Sequence, residues 1–216
     1  ILLKQGNNDE ALKQYEALKA VAPKSPQTLL IGAQFALQKK DYQTAGDLAQ
    51  QLLKAVPGSP LALELAGNVE YQKGALVQAQ DFLTKALQAN EGMMGARRLL
   101  TATYLRSGQP GKALETLQPV LDKIGADPAM LGLAGEVYLQ NGDLQKAEEM
   151  LAKAAKLDPQ DSAKRTRLAQ THLAQGRSAS AMEELGQIAA ADSGIMADLT
   201  LISAHIRKNE FDKALT

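Results

Sequence analysis

Apolar and small residues recur along the chain in a pattern that repeats every 34 residues. Its clearest copy runs from Gln140 to Pro159, where a turn is followed by a helical segment that stops at a proline. Apolar or small residues follow a marker alanine by four and by seven positions, which is the spacing of one face of an α-helix. That alanine recurs at a constant step: Ala11, Ala45, Ala79, Ala113, Ala147 and Ala181. Each unit is therefore predicted to contain an amphipathic helix.

The residue five positions before each alanine predicts the turn that leads into this helix. Lys40 stands there in one unit, and glycine, which tolerates a positive φ, stands there in the others: Gly6, Gly74, Gly108, Gly142 and Gly176. Twelve positions after the alanine, Pro23, Pro57 and Pro159 end the helix because proline lacks the N–H and clashes with the preceding turn. Other residues, including Ser193, take that place elsewhere.

The half of each unit before the turn predicts another amphipathic helix, here called the first helix of the unit. Small residues such as Ala33, Gly67 and Gly135 lie on its apolar stripe, where two helices would touch. An alanine of the second helix opposite such a residue would let the two backbones approach closely. Each unit is thus predicted to be a helical hairpin, and hairpins of this kind bury their apolar stripes by stacking on one another.

The spacing and residue types resemble the tetratricopeptide repeat. The slots that carry the resemblance are filled most completely in one unit: Leu131, Ala134, Gly135, Tyr138, Gly142, Ala147, Leu151, Ala154 and Pro159. The resemblance implies an all-α fold, a right-handed superhelical solenoid of antiparallel helix pairs. We expect a single solenoid over residues 1–216 that is a fragment of a longer chain. Its predicted parts are a half repeat (1–25), full repeats (26–59, 60–93, 94–127, 128–161 and 162–194) and a partial repeat (195–216).

Besides Lys40 in the glycine position, three residues depart from the repeat pattern. Arg97 and Arg165 occupy a slot that is usually large and apolar, and Pro119 lies inside a predicted second helix. Because a proline inside a helix removes a hydrogen bond, Pro119 predicts a kink or an early loosening of that helix.

Composition and charge exclude several classes of function. The 24 basic residues balance the 24 acidic ones, so no excess positive field exists to attract nucleic acid. The absence of cysteine excludes disulfides and thiolate chemistry. His172 and His205 fall in or near the slot of Tyr138, so we interpret them as half-buried packing residues and predict no metal site. No acid–base or nucleophile–base pair is indicated, so we expect neither an enzyme nor a cofactor.

The surface of the first helices is the remaining candidate site, because in stacked hairpins these helices line a concave groove. The side chains expected to face the groove are Gln34, Gln38, Glu64, Asn68, Tyr71, Gln72, Arg98, Arg106, Glu136, Gln140 and Gln170. Amide side chains offer a donor and an acceptor together, which suits an extended peptide or an array of sugar hydroxyls. The sequence therefore predicts a noncatalytic scaffold for a protein or peptide, with a carbohydrate-binding accessory protein of an export machine as the alternative.

The clamp that similar repeats use for acidic chaperone tails is not predicted. Its positions hold Leu30, Glu64, Arg98, Gly132 and Thr166, of which only Arg98 is basic. We also expect self-association through apolar faces that no neighbouring repeat covers, at Leu12 and Tyr15 or at Leu201 and Phe211.

A narrower resemblance comes from two runs of the last repeats, "LDPQDSAKRTRLAQTHLAQGRSASAMEEL" and "ADLTLISAHIRKNEFDKAL". They are similar to the repeat-containing lipoproteins associated with bacterial PEP-CTERM/exosortase sorting systems. This resemblance implies a periplasmic or outer-membrane-anchored location, a lipid anchor outside this segment, and a link to exopolysaccharide and protein sorting.

Overall fold

The computed structural model describes residues 8–191 and 195–215, so Gly6 and Ser193 lie outside the described residues. Within those ranges every regular element is helical. The α-helices are α1 (Asn8–Val21), α2 (Pro26–Gln38), α3 (Tyr42–Ala55), α4 (Pro60–Lys73), α5 (Leu76–Ala89), α6 (Met94–Arg106), α7 (Pro110–Leu117), α8 (Pro128–Gln140), α9 (Leu144–Leu157), α10 (Ser162–Ala174), α11 (Ser178–Ala191), α12 (Ile195–Arg207) and α13 (Phe211–Ala214). The predicted all-α fold is confirmed.

The chain divides into two units, Ile1–Ser107 and Gly108–Thr216, called here the first and the second unit. In the first unit, α2 packs on α3 and α4 on α5, and the first helices α2, α4 and α6 lie side by side. In the second unit, α8 packs on α9 and α10 on α11, and α10 lies beside both α8 and α12. The single array over residues 1–216 stays a prediction.

Local sequence explains where the helices start. Pro26, Pro60 and Pro128 occupy the first turns of α2, α4 and α8, where a missing N–H costs nothing. Asp41 and Asp143 accept hydrogen bonds from the backbone N–H groups of Thr44 and Lys146, and so cap α3 and α9. These caps fix the boundaries between first and second helices.

The marker alanines are all buried, and their helices form the core as the sequence predicts. The first-helix glycines Gly67 and Gly135 pack against a leucine of the second helix, and Gly135 also lies close to the backbone of its marker alanine, Ala147. A Cβ on Gly67 would lie 2.5 Å from Leu83 Cγ, and one on Gly135 would lie 2.8 Å from Leu151 Cδ2. Because each glycine leaves room for a whole leucine side chain, α4 packs closely on α5 and α8 packs closely on α9.

The structure explains two departures from the repeat pattern, and the one at Pro119 is as the sequence predicts. The helix before Pro119 loosens, since α7 ends at Leu117 and a 3₁₀ helix follows at Gln118–Lys123. Arg97 is buried and donates from Nη2 to the carbonyl oxygen of Glu91 at 2.9 Å. Arginine can thus occupy a position that is usually apolar, because its guanidinium group reaches a backbone carbonyl in the preceding turn.

The turn positions adopt the positive φ that the glycines predict. The φ angles are 80° at Gly74, 69° at Gly108, 81° at Gly142 and 83° at Gly176, and Lys40 adopts 58° without being a glycine. A Cβ in this left-handed region is strained. The turn therefore imposes its backbone geometry even where the sequence carries a lysine.

Replacing Lys40 with glycine is expected to raise the free energy of unfolding by about 0.5–1 kcal/mol, because the left-handed strain is lost while the turn stays. Urea unfolding followed by circular dichroism measures the change. The matched control is Lys39→Gly, since Lys39 has φ −80° and gains nothing from glycine. An equal effect of the two substitutions would contradict the interpretation.

Within residues 8–191 and 195–215, no helix is both long enough and apolar enough to cross a bilayer.

Candidate functional site

The first-helix face of the first unit carries polar side chains that point to solvent. Gln34 and Gln38 on α2 and Arg98 on α6 are exposed and make no hydrogen bond or ion pair with any residue that the structure describes. Their helices are linked by α4, which lies between α2 and α6. The face thus offers two amides and one guanidinium on the two helices that flank α4.

Tyr71 and Arg106 form a fixed pair beside these free groups. The Arg106 guanidinium lies 5.3 Å from the centre of the Tyr71 ring, and its Nη1 donates to the Tyr71 carbonyl oxygen at 3.0 Å. The carbonyl belongs to the last turn of α4, where a cation is favourable for the helix dipole. On the same helix, Gln72 Nε2 donates to Asn68 Oδ1 at 3.4 Å.

Glu64 lies against α6 instead of projecting into solvent. Its carboxylate fills the space beside Gly95 in the first turn of α6, where a Cβ would find no room. Met93, the residue that precedes α6, provides no side-chain cap. A carboxylate near the positive end of the helix dipole is stabilising, so Glu64 serves the packing of α4 on α6.

The corresponding residues of the second unit bind one another. Gln140 Nε2 donates to Glu136 Oε1 at 2.7 Å, and Arg167 Nε lies 2.7 Å from Glu136 Oε2. Arg167 Nη1 donates to Gln170 Oε1 at 2.8 Å, and Gln170 Nε2 donates to Thr200 Oγ1 at 2.8 Å. This polar ladder joins α8, α10 and α12.

Arg167, the centre of the polar ladder, is the residue that sequence reasoning missed. Its position in the 34-residue repeat is apolar in the other units: Ile31, Leu65, Leu99, Leu133 and Leu201. A single cation in an otherwise apolar position was the available signal. The geometry explains it, because the side chain reaches sideways to the acid of the preceding first helix.

A charged cluster lies at the ends of α9 and α10. Arg177 Nη2 is 2.6 Å from Glu148 Oε2, Gln175 Nε2 donates to the same oxygen at 3.0 Å, and His172 Nε2 lies 3.5 Å from Oε1. The hydrogen bonds from Arg177 and then Gln175 lower the pKa of Glu148 from 4.5 to about 2. Folding therefore favours the ionised carboxylate.

We expect the contribution of Glu148 to stability to disappear in acid. Because its folded pKa lies below the ordinary value of 4.5, the contribution is complete above that pH and is lost as the pH falls towards 2. Glu148→Gln should lower the melting temperature at pH 7 and leave it nearly unchanged at pH 2. The control is Glu149→Gln, whose exposed pair with Lys153 adds little. A loss from Glu148→Gln that persists at pH 2 would contradict the prediction.

The histidines are half-buried, as the sequence indicates. His172 faces Glu148, and His205 Nδ1 lies 2.7 Å from Glu210 Oε2. That contact lowers the pKa of the Glu210 carboxyl. Among the described residues, no cluster of three or more histidine, aspartate and glutamate side chains is arranged to hold a metal ion.

Comparison with protein-family models gives matches described as tetratricopeptide repeat over residues 1–60, 70–137 and 138–194. No curated protein matches the chain significantly.

Solved structures with the same fold include three of particular use. MamA 41-end from Desulfovibrio magneticus RS-1 is 21% identical with a TM-score of 0.68, and the match covers 76% of this chain and 93% of that one. The Cut9–Hcn1 hetero-tetramer of APC/C gives 18% identity and a TM-score of 0.82, covering 99% of this chain and 42% of that chain. YrrB, described as a TPR protein with an unusual peptide-binding site, gives 19% identity and a TM-score of 0.66, covering 85% and 95%.

Proposed function

Because the chain belongs to the tetratricopeptide repeat family, whose fold generally serves as a protein–protein interaction scaffold, we propose that it is a noncatalytic scaffold for a protein or peptide. The observation that carries the proposal is the set of free polar side chains on the first-helix face of the first unit. Gln34, Gln38 and Arg98 are exposed there without partners among the described residues.

The first unit is the better binding surface of the two. In the second unit, Glu136 and Gln170 are already held in the polar ladder, so a partner would have to break an ion pair and three hydrogen bonds to use them. In the first unit, Gln34, Gln38 and Arg98 can be reached without breaking such bonds, so a partner loses only the hydration and the rotamer freedom of exposed side chains beyond the cost common to any association. Glu64, Tyr71 and Arg106 form its fixed frame.

The chemistry of the free groups suits an extended peptide. Each glutamine amide can donate to a peptide carbonyl and accept from a peptide N–H, as a β-strand edge would. Arg98 can form two parallel hydrogen bonds with a carboxylate. The peptide-binding site named for YrrB, a neighbour of the same fold, supports this class of ligand.

The sequence resemblance to sorting-system lipoproteins sets the biological context of this proposal. We place the scaffold in a bacterial PEP-CTERM system, at the periplasmic or outer-membrane side. There its partner would be a protein of the exopolysaccharide and protein-sorting machinery.

The alternative is a carbohydrate-binding accessory role in export, favoured by the amides of Asn68 and Gln72, which lie on α4 together with Tyr71. Amides can bind sugar hydroxyls as readily as peptide groups. A glycan array tests this role directly. Binding that Asn68→Ala abolishes would support it, and a blank array over bacterial exopolysaccharides would remove it.

The peptide proposal is tested with a displayed library of random peptides selected on the purified chain. The triple variant Gln34→Ala, Gln38→Ala and Arg98→Ala should weaken the binding of the selected peptide at least about tenfold, as expected for losing a charge-assisted hydrogen bond. Fluorescence anisotropy measures the affinity, and circular dichroism verifies unchanged helicity. The matched control replaces Gln50, Lys54 and Gln88 with alanine, all exposed on second helices. Equal affinity of both variants, or failure to select any peptide, would overturn the proposal.

A further inference from the structure

The turn between α8 and α9 contains Asn141 and Gly142, the only Asn–Gly dipeptide of the sequence. In such a dipeptide the backbone nitrogen of the glycine can attack the side-chain carbon of the asparagine, because the glycine has no side chain to hinder the approach. Asparagine is accordingly one of the heat-labile residues that hyperthermophilic proteins use sparingly. Both residues are exposed, so water reaches this turn.

Three hydrogen bonds occupy the reacting groups of this dipeptide. Asn141 Nδ2, which would leave, donates to the carbonyl oxygens of Pro110 at 2.9 Å and Val137 at 2.7 Å. The Gly142 N–H, whose nitrogen would attack, donates to the carbonyl oxygen of Leu139 at 3.1 Å. The folded turn therefore holds both the nucleophile and the leaving group in other contacts.

The bond from Asn141 to Pro110 belongs to a contact that recurs with the repeat. Gln175 lies 34 positions later and donates from Nε2 to the carbonyl oxygen of Leu144 at 3.1 Å. Leu144 begins α9 as Pro110 begins α7. The residue after a first helix thus ties that helix to the second helix that precedes it.

The contact between α7 and α8, called here the α7–α8 joint, has less helix to hold it than the next one. Helix α7 has 8 residues, against 14 in α9, because it gives way to the 3₁₀ helix that contains Pro119. Short elements with few buried groups open locally at a lower cost than the whole chain unfolds. The bond from Asn141 to Pro110 therefore lies at a place where local opening is favoured.

We propose that Asn141 is a deamidation site that the closed α7–α8 joint protects and that local opening of the joint exposes. In the open state the Gly142 nitrogen bonds to the side-chain carbon of Asn141, and the amide nitrogen leaves as ammonia with the proton of the Gly142 N–H. Water then opens the succinimide ring and leaves an aspartate or an isoaspartate at position 141. When opening and closing are fast, the rate of such a reaction follows the population of the open state.

The product cannot close the joint in the same way. A carboxylate at position 141 has no N–H to donate and would face the carbonyl oxygens of Pro110 and Val137. Acceptors that lose their donor cost stability, and the new negative charge repels them. The reaction therefore converts a transient opening of the joint into a lasting one.

Peptide mapping by mass spectrometry, after incubation in mildly alkaline buffer, measures the deamidation. Asn141 should react at least about tenfold faster in the chain unfolded with guanidinium chloride than in the folded chain. Asn141→Gln should abolish the reaction and keep the melting temperature, because glutamine already serves as the donor in the next joint and does not form the five-membered ring. Equal rates in the folded and the unfolded chain, or no reaction at Asn141 in the unfolded chain, would overturn the proposal.

A second pair of variants tests whether local opening is the route. Leu117→Ala, at the buried end of α7, should open the joint more often and speed the deamidation of the folded chain. Leu52→Ala removes a leucine of similar burial from the first unit and should leave the rate unchanged. Equal acceleration by the two variants would place the reaction in the globally unfolded chain and overturn the role of the joint.

Asn141→Asp tests the consequence, because it supplies the carboxylate of the product. It should lower the melting temperature by about 2–4 °C. The matched control is Asn90→Asp, which adds the same charge but keeps the side-chain oxygen that accepts from the Gly92 N–H. A melting temperature of Asn141→Asp equal to that of the wild type would overturn the lasting opening.

Discussion

Leu151→Ala is expected to lower the free energy of unfolding by about 2–5 kcal/mol, the usual cost of removing a fully buried leucine. The Leu151 side chain has no exposed surface and fills the space left by the missing side chain of Gly135. Its removal leaves a cavity between α8 and α9, at the point where these two helices approach each other closely. Urea unfolding followed by circular dichroism measures the loss.

The control for this prediction lies on the same helix. Leu157 is 48% exposed, so Leu157→Ala should change the free energy of unfolding by about 0.5 kcal/mol at most. If the two leucines proved equally costly to remove, the packing of Leu151 on Gly135 would not be what holds this hairpin together.

Gly135→Ala is expected to cost about 1–3 kcal/mol, although alanine is intrinsically the better helix former. The new Cβ would lie 2.8 Å from Leu151 Cδ2 and 3.3 Å from the Ala147 carbonyl oxygen, so either the leucine or the backbone of α9 must shift. Thermal and urea unfolding measure the change. Gly111→Ala is the control, because its Cβ would meet open space and should stabilise α7 by up to about 1 kcal/mol.

A double substitution separates steric clash from loss of flexibility. Combining Gly135→Ala with Leu151→Ala should cost about 1 kcal/mol less than the sum of the single changes, because the shortened side chain no longer meets the new methyl group. The first full repeat already uses this pair, with Ala33 and Ala49 both buried at the corresponding positions. If the costs of the two substitutions simply added, the cost of Gly135→Ala would not come from a clash with the Leu151 side chain.

The helical hairpins could be predicted from the sequence because their cause is local. A 34-residue period, buried marker alanines and turn residues such as Gly74 and Gly142 specify the helices and the turns between them. The same reasoning predicts the loosening at Pro119, because proline acts on its own helix. The residue that packs against each glycine was not predictable in this way. It depends on the axial offset between the two helices, which the sequence of one helix does not specify.

The candidate site was less predictable because its side chains act across helices. Periodicity identifies which residues lie on the first-helix face, but it treats Gln34 and Gln170 alike. The positions of Arg167 and Thr200 show that Gln170 is already bonded, whereas Gln34 has no partner among the residues that the structure describes. Arg167 lies on the same helix as Gln170, but Thr200 lies 30 positions away, and a contact over that separation is absent from any single helical pattern.

The polar ladder of the second unit limits how freely its hairpins can be exchanged. Arg167 on α10 pairs with Glu136 on α8 and donates a hydrogen bond to Gln170, which in turn donates to Thr200 on α12. One set of bonds therefore joins three successive hairpins. Inserting a duplicated hairpin between α9 and α10 would separate Arg167 from Glu136 and leave a half-buried acid without its cation. Evolution by duplication in this part of the chain would therefore have to copy the hairpin that carries Arg167 together with the hairpin that carries Glu136.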